Sequence, residues 1–88
     1  MLKITRIDDA HDQTRLRLEG RLTQLEIRAL EDACAELRAD HRRLVIDLAG
    51  VRFADDAGTA ALRRLREHDA RLDNATAFLS ELLQEEGI

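Results

Sequence analysis

Tyrosine, tryptophan and proline are absent from the 88 residues, and aromatic side chains are limited to Phe53 and Phe78. Cysteine occurs once, at Cys34, and serine once, at Ser80. A core without aromatic bulk has to be aliphatic, drawn from Leu, Ile, Val and Ala, and a hydrophobic content of 44% permits one. A lone cysteine excludes an internal disulfide framework, which argues against a small secreted scaffold and for a reducing cytoplasm. No apolar run approaches the roughly 20 residues of a membrane helix, so direct membrane insertion is not expected. The start, Met1-Leu2-Lys3-Ile4-Thr5, lacks the apolar stretch of a secretory signal. Fourteen basic against eighteen acidic side chains give a net charge of −4. With no stacking aromatics to add, that balance argues against nucleic acid as a partner. A small cytoplasmic α/β domain remains, expected as one unit over residues 1–88.

What is present alternates between two periods. Leu2, Ile4 and Ile7 among polar residues read as a first strand, and residues 8–13 as a polar turn. Leu16 and Leu18 alternate with Arg15, Arg17 and Glu19, the period-2 pattern of a strand with one wet face. Gly20 then frees the backbone for a bend or bulge. Thr23-Gln24-Leu25-Glu26 fits a capping box, with Leu22 and Ile27 at the staple positions. Ile27, Leu30, Cys34 and Leu37 follow as one apolar helix face ending near Asp40. Leu44-Val45-Ile46 with Leu48 reads as a strand buried on both faces, interrupted by Asp47, after which residues 49–53 leave the sheet. Asp55 or Asp56 caps a second helix, buried through Ala57, Ala60, Ala61, Leu62 and Leu65 and reaching about His68. Arg63, Arg64, Arg66 and Glu67 face water on it. A short strand near residues 70–73 precedes a last helix, capped by Asn74 or Thr76, with Phe78, Leu79, Leu82 and Leu83 as its buried stripe. The expected order is β-β-α-β-α-β-α, a mixed sheet of about four strands with three packed helices.

Few residues suggest chemistry. His11, His41 and His68 fall at turns or helix ends among charges, and read as solvated. Cys34 lies on an apolar stripe, where it serves as a small hydrophobe. No cysteine–histidine pair has metal-ligand spacing, no glycine-rich phosphate loop occurs, and Ser80 lacks a nucleophile's context, so neither metal nor cofactor is expected. Asp8-Asp9 reads as a solvated turn. Asp55-Asp56-Ala57-Gly58-Thr59 is different. It follows the buried strand and opens the second helix, where ligands and partners of open α/β sheets gather. Free N–H groups and the positive dipole end favour an anion there by about 0.3–1 kcal/mol. Gly58 in the first turn costs about 1 kcal/mol relative to alanine, tolerable where something approaches the backbone closely.

The stretch from Leu44 through Asp47-Leu48 to Asp55-Asp56-Ala57-Gly58 resembles the signature of the STAS family, the anti-sigma-factor antagonist domains. Leu18-Glu19-Gly20-Arg21-Leu22 is similar to that family's second strand and its exit into the first helix. The resemblance implies a non-enzymatic regulator. In that family the first hydroxyl residue after the motif's aspartate is phosphorylated by a partner that is both kinase and anti-sigma factor, which breaks the complex. Asp55 matches the motif's aspartate and Gly58 its glycine, so the phosphoacceptor position falls on Asp56, which no serine kinase modifies. An aspartate carries one charge where phosphoserine carries about 1.5 to 2.

The resemblance therefore implies docking through the loop 52–59 and the second helix. Asp55, Asp56, Ala57, Gly58, Thr59, Arg63 and Arg66 would meet a protein partner, an anti-sigma factor or a histidine-kinase-like ATPase. A second expectation is a small subunit of a bacterial lipid-transport ABC system that docks on the ATPase. Thr59 is the nearest hydroxyl to serve as a substitute acceptor, and a homodimer is compatible with the sequence. A receiver domain with Asp47 or Asp55 as acceptor and Asp8 and Asp9 on Mg²⁺ would need about five strands and a late lysine. Lys3 is the only lysine.

Overall fold

A computed structural model describes residues 2–10 and 12–85; His11 and the expectation attached to it lie outside them. Strands β1 (Leu2–Ala10) and β2 (Gln13–Leu22) form an antiparallel hairpin, with a turn shorter than the sequence suggested. A 3₁₀ turn (Gln24–Glu26) leads into α1 (Ile27–Ala39). Then come β3 (Arg43–Ala54), α2 (Asp56–Glu67), β4 (Arg71–Asp73) and α3 (Ala77–Glu85). The sheet order is β1-β2-β3-β4, with β2, β3 and β4 parallel, so the expected mixed four-stranded sheet and three helices are present.

Sequence period explains most of the packing. Thr14, Leu16, Leu18 and Leu22 of β2 all turn inward and are buried. The three leucines join Leu30, Cys34 and Leu37 of α1, Leu62 and Leu65 of α2, and Leu79 and Leu83 of α3 in one aliphatic cluster. All three helices thus lie on one face. This corrects the reading of β3 as a strand sandwiched between helices. Leu44, Ile46 and Leu48 face the helices, whereas Val45 lies across from Arg15 and Arg71, and Asp47 across from Arg17 and Asp73. The β3 run looks apolar on both sides because Val45 is shielded on the open face, at 4% exposure.

The chain does not leave the sheet after Leu48, contrary to expectation. β3 continues to Ala54, still paired with β2, and accommodates two register shifts. Each extra residue moves the inward phase by one, from Leu48 to Val51 and then to Ala54, which breaks the simple alternation. Gly20, at φ 112, sits at the second shift.

Three other expectations change. Ile7 lies across from Arg15 on the open face rather than with Leu2 and Ile4 against the core. Asp8 is no free turn carboxylate: its Oδ1 accepts from the Thr14 hydroxyl (3.0 Å) and the Arg6 Nε (3.2 Å). These bonds, Thr14 first, hold its carboxyl below the usual range. Arg42 donates to the buried Thr14 oxygen and to the Gln13 carbonyl, tying the bottom of the sheet together. Phe78 is 48% exposed, while Leu79 and Leu83 carry the buried stripe of α3. Of the two caps considered for that helix, Thr76 serves, its Oγ1 accepting from the Leu79 N–H at 3.2 Å.

Cys34 is fully buried, and burial pushes its thiol up to about 11. Because alkylation needs an exposed thiolate, iodoacetamide at pH 8 is expected to leave the native protein unmodified by intact mass. Rapid labelling would show that the α1 face opens; in urea the same thiol should react.

Candidate functional site

The end of the sheet where β2 and β3 finish is built around Asp55. Its extended backbone (φ −81, ψ −178) places it as the N-cap of α2. Oδ1 accepts from the Gly58 N–H at 2.7 Å, and Oδ2 from the Gln24 N–H at 3.0 Å. Its own N–H donates to the Leu22 carbonyl at 3.2 Å. One side chain thus fastens the start of α2 to the turn that opens α1. The two N–H groups, Gly58 first and Gln24 second, hold the Asp55 carboxyl below the usual carboxylate range.

Gly58 is buried in the first turn because β2 ends against it. An added Cβ would lie 2.3 Å from the Leu22 carbonyl oxygen. The close approach expected at this glycine therefore exists, and what approaches is the protein's own backbone. Thr59 is buried too, at 4% exposure, and its hydroxyl donates to the Asp55 carbonyl at 3.0 Å. Gly58 and Thr59 shape the site from beneath instead of lining it, and the Thr59 hydroxyl is not presented to a kinase.

Asp56 is exposed on the first turn, with Ala57 half-buried beside it. No hydrogen bond or ion pair is found for the Asp56 carboxylate among the described residues. Arg63, expected on the wet face, is half-buried and donates through Nη2 to the Leu82 carbonyl, joining α2 to α3. Arg66 is exposed but lies toward α3, bordering a cleft with Ala70 and Leu83. The seven residues therefore separate: Asp56 and Ala57 form the surface, Asp55, Gly58 and Thr59 build it, and Arg63 and Arg66 face α3.

One contributor escaped the sequence reading. Leu25 is 89% exposed in the 3₁₀ turn, next to the Gln24 N–H that Asp55 holds. Glu26 braces the same turn, its Oε1 accepting from the Thr23 N–H (3.3 Å) and hydroxyl (2.8 Å). Hydropathy assigns a leucine inside; only the geometry of the turn shows it held outward.

With Asp55 as acceptor the receiver arrangement does not form among the described residues. Asp8 pairs with Thr14 near the start of β2, whereas Asp55 lies against Leu22 at its end. Among the described residues no group of three or more His, Cys, Asp or Glu side chains is placed to hold a metal. No helix among them is long and apolar enough to cross a membrane.

A two-layer α/β domain with a capped second helix and an exposed acidic first turn defines a small STAS-type module. Residues 5–88 match the family model described as MlaB, STAS domain, and the chain belongs to the STAS domain family. No curated protein matches the sequence. Among solved structures it is similar to the anti-sigma-factor antagonist SpoIIAA in its unphosphorylated form, with TM-score 0.73 and 16% identity over 93% of this chain and 82% of that one. A crystal structure of Mglu aligns at TM-score 0.61 and 29% identity, covering 77% of this chain and 18% of that one. A STAS-domain antisigma-factor antagonist from Rhodobacter sphaeroides aligns at 0.56 and 20% identity, over 86% and 92%. The likenesses to SpoIIAA and the Rhodobacter domain concern the fold alone.

Proposed function

We propose that the chain is a cytoplasmic, non-enzymatic protein-binding regulator that docks a partner through the first turn of α2 and the adjoining 3₁₀ turn, without serine phosphorylation. The observation that carries this is Asp56. It stands exposed at the motif's acceptor position, while Asp55 is consumed by the cap and the Thr59 hydroxyl is buried and bonded. A fixed negative charge at a helix N-terminus is favoured by the dipole and needs no kinase to install it. The partner is an anti-sigma factor or a histidine-kinase-like ATPase. Docking would place Leu25 and Asp56 in one contact, an apolar anchor beside a charge that sets orientation and on-rate.

A second reading keeps the surface and changes the partner to the ATPase of a lipid-transport ABC system. It is favoured by the lack of an exposed hydroxyl at the acceptor position, since such docking needs no switch.

Asp56→Arg is the test. Titrated against purified candidate partners of each class, it is expected to weaken the cognate complex by at least about tenfold, roughly 1.4 kcal/mol. The melting temperature should fall by several degrees, because a dipole-favoured charge worth about 0.3–1 kcal/mol is replaced by an opposed one, and circular dichroism at the assay temperature checks that the variant is folded. An unchanged affinity would remove this surface from the interface, and the class that binds wild type decides between the readings.

A further inference from the structure

On the face of the sheet that no helix covers, the two shifts in β3 open a groove. Glu19, Gly20 and Arg21 of β2 line one side, and Ala49, Gly50, Arg52 and Phe53 of β3 the other. We propose that this groove is a second docking surface, which takes an extended acidic segment of a protein partner.

Three observations support it. Arg21 lies with its guanidinium carbon 4.6 Å from the centroid of the Phe53 ring, which orients the guanidinium plane and leaves its edges for a carboxylate. Arg52 has no register partner on β2; the bulge turns it out of the ladder beside Arg21. Neither arginine has an ion-pair partner among the described residues. Secondly, Gly50 lets the two walls approach closely, since a Cβ there would lie 2.8 Å from Glu19 Cγ and 3.0 Å from the Leu18 carbonyl oxygen. Thirdly, Glu19, the one carboxylate lining the groove, lies across from Lys3 in the β1–β2 register.

Charge complementarity selects the occupant. Two guanidinium forks beside an aromatic ring match carboxylates with an apolar side chain between them. The groove is open along its length, whereas a small-molecule site encloses most of its ligand. A protein of net charge −4 repels acidic chains in general, so capture has to be local. The inference does not depend on Asp56, which stands on the first turn of α2, outside the lining of the groove.

The probe is a fluorescein-labelled peptide of alternating glutamate and leucine, followed by anisotropy at low ionic strength. Arg21→Glu with Arg52→Glu is expected to weaken binding at least about tenfold. Arg28→Glu with Arg38→Glu, on exposed positions of α1, makes the same change in net charge and should leave binding within about twofold of wild type. Circular dichroism of both variants confirms the fold. Absence of wild-type binding, or an equal loss in the α1 variant, overturns the groove. Displacement of the peptide by inorganic phosphate at matched ionic strength overturns the acidic segment in favour of a small anion.

Discussion

Gly58→Ala is expected to cost about 3 kcal/mol or more, although the helix propensity of alanine alone would stabilise the protein by about 1 kcal/mol. The two effects have opposite signs, so the measurement separates them. An ideal Cβ at this position lies 2.3 Å from the Leu22 carbonyl oxygen, 3.0 Å from Leu22 Cγ and 3.1 Å from its carbonyl carbon. Flexible side-chain ends can retreat from such a contact, but this neighbour is backbone. The Leu22 carbonyl accepts the Asp55 N–H, and the Leu22 side chain is fully buried, so a shift breaks the junction between β2 and α2. Urea titration should show a lower midpoint at unchanged slope, and a thermal melt a fall of about 12 °C or more. A variant as stable as wild type would mean that β2 and α2 part easily. The rigid placement of the first turn of α2, and of Asp56 on it, would then fail as well.

That junction is partly legible in the sequence. Asp55 or Asp56, ahead of an apolar period, reads as a cap, because the side-chain oxygen has one short-range task that sequence spacing encodes, and the structure assigns it to Asp55. The second bond, to the Gln24 N–H, crosses 31 positions and has no local signature. The same distinction runs through the fold. Thr14, Leu16 and Leu18 keep strict alternation, and β2 follows from it. β3 does not, because its inward residues step from Leu48 to Val51 to Ala54, and a fixed period of two ends the strand too early. Arg63 reads as solvated since its partner is a main-chain carbonyl of α3, and the outward hold on Leu25 has no local sequence signal. Local hydrogen bonding and period are written in the sequence. Register shifts and long-range polar contacts arise only when the elements meet.

Asp47 belongs to the second kind, and its replacement should be the next most damaging. In the sequence it interrupts an apolar strand; in the structure it is a 6%-exposed carboxylate on the open face of the sheet. Oδ1 accepts from the Ala49 N–H at 3.0 Å and from Asn74 Nδ2 at 3.1 Å. Oδ2 lies 3.7 Å from Arg15 and 3.9 Å from Arg17, and Arg15 also reaches Asp73 at 3.5 Å. One side chain thus braces the first shift of β3, the exit of β4 and two arginines of β2. Asp47→Ala leaves an N–H, an amide and two guanidinium groups short of a partner, and is expected to cost about 2–3 kcal/mol at pH 7. Asp47→Asn keeps an acceptor for the Ala49 N–H and loses the charge, so about 1 kcal/mol is expected. The Ala49 N–H first, then Asn74 and the two arginines, hold the carboxyl below its usual range. A depressed folded-state value means that the stabilisation is complete above the unfolded pKa of about 3.9 and is lost as pH falls through the folded value. Urea midpoints from pH 7 to pH 3 should therefore converge, with wild type falling toward Asp47→Asn below about pH 4. Parallel curves would show that the carboxylate stabilises by shape alone, and that the charge on this face does nothing for the sheet.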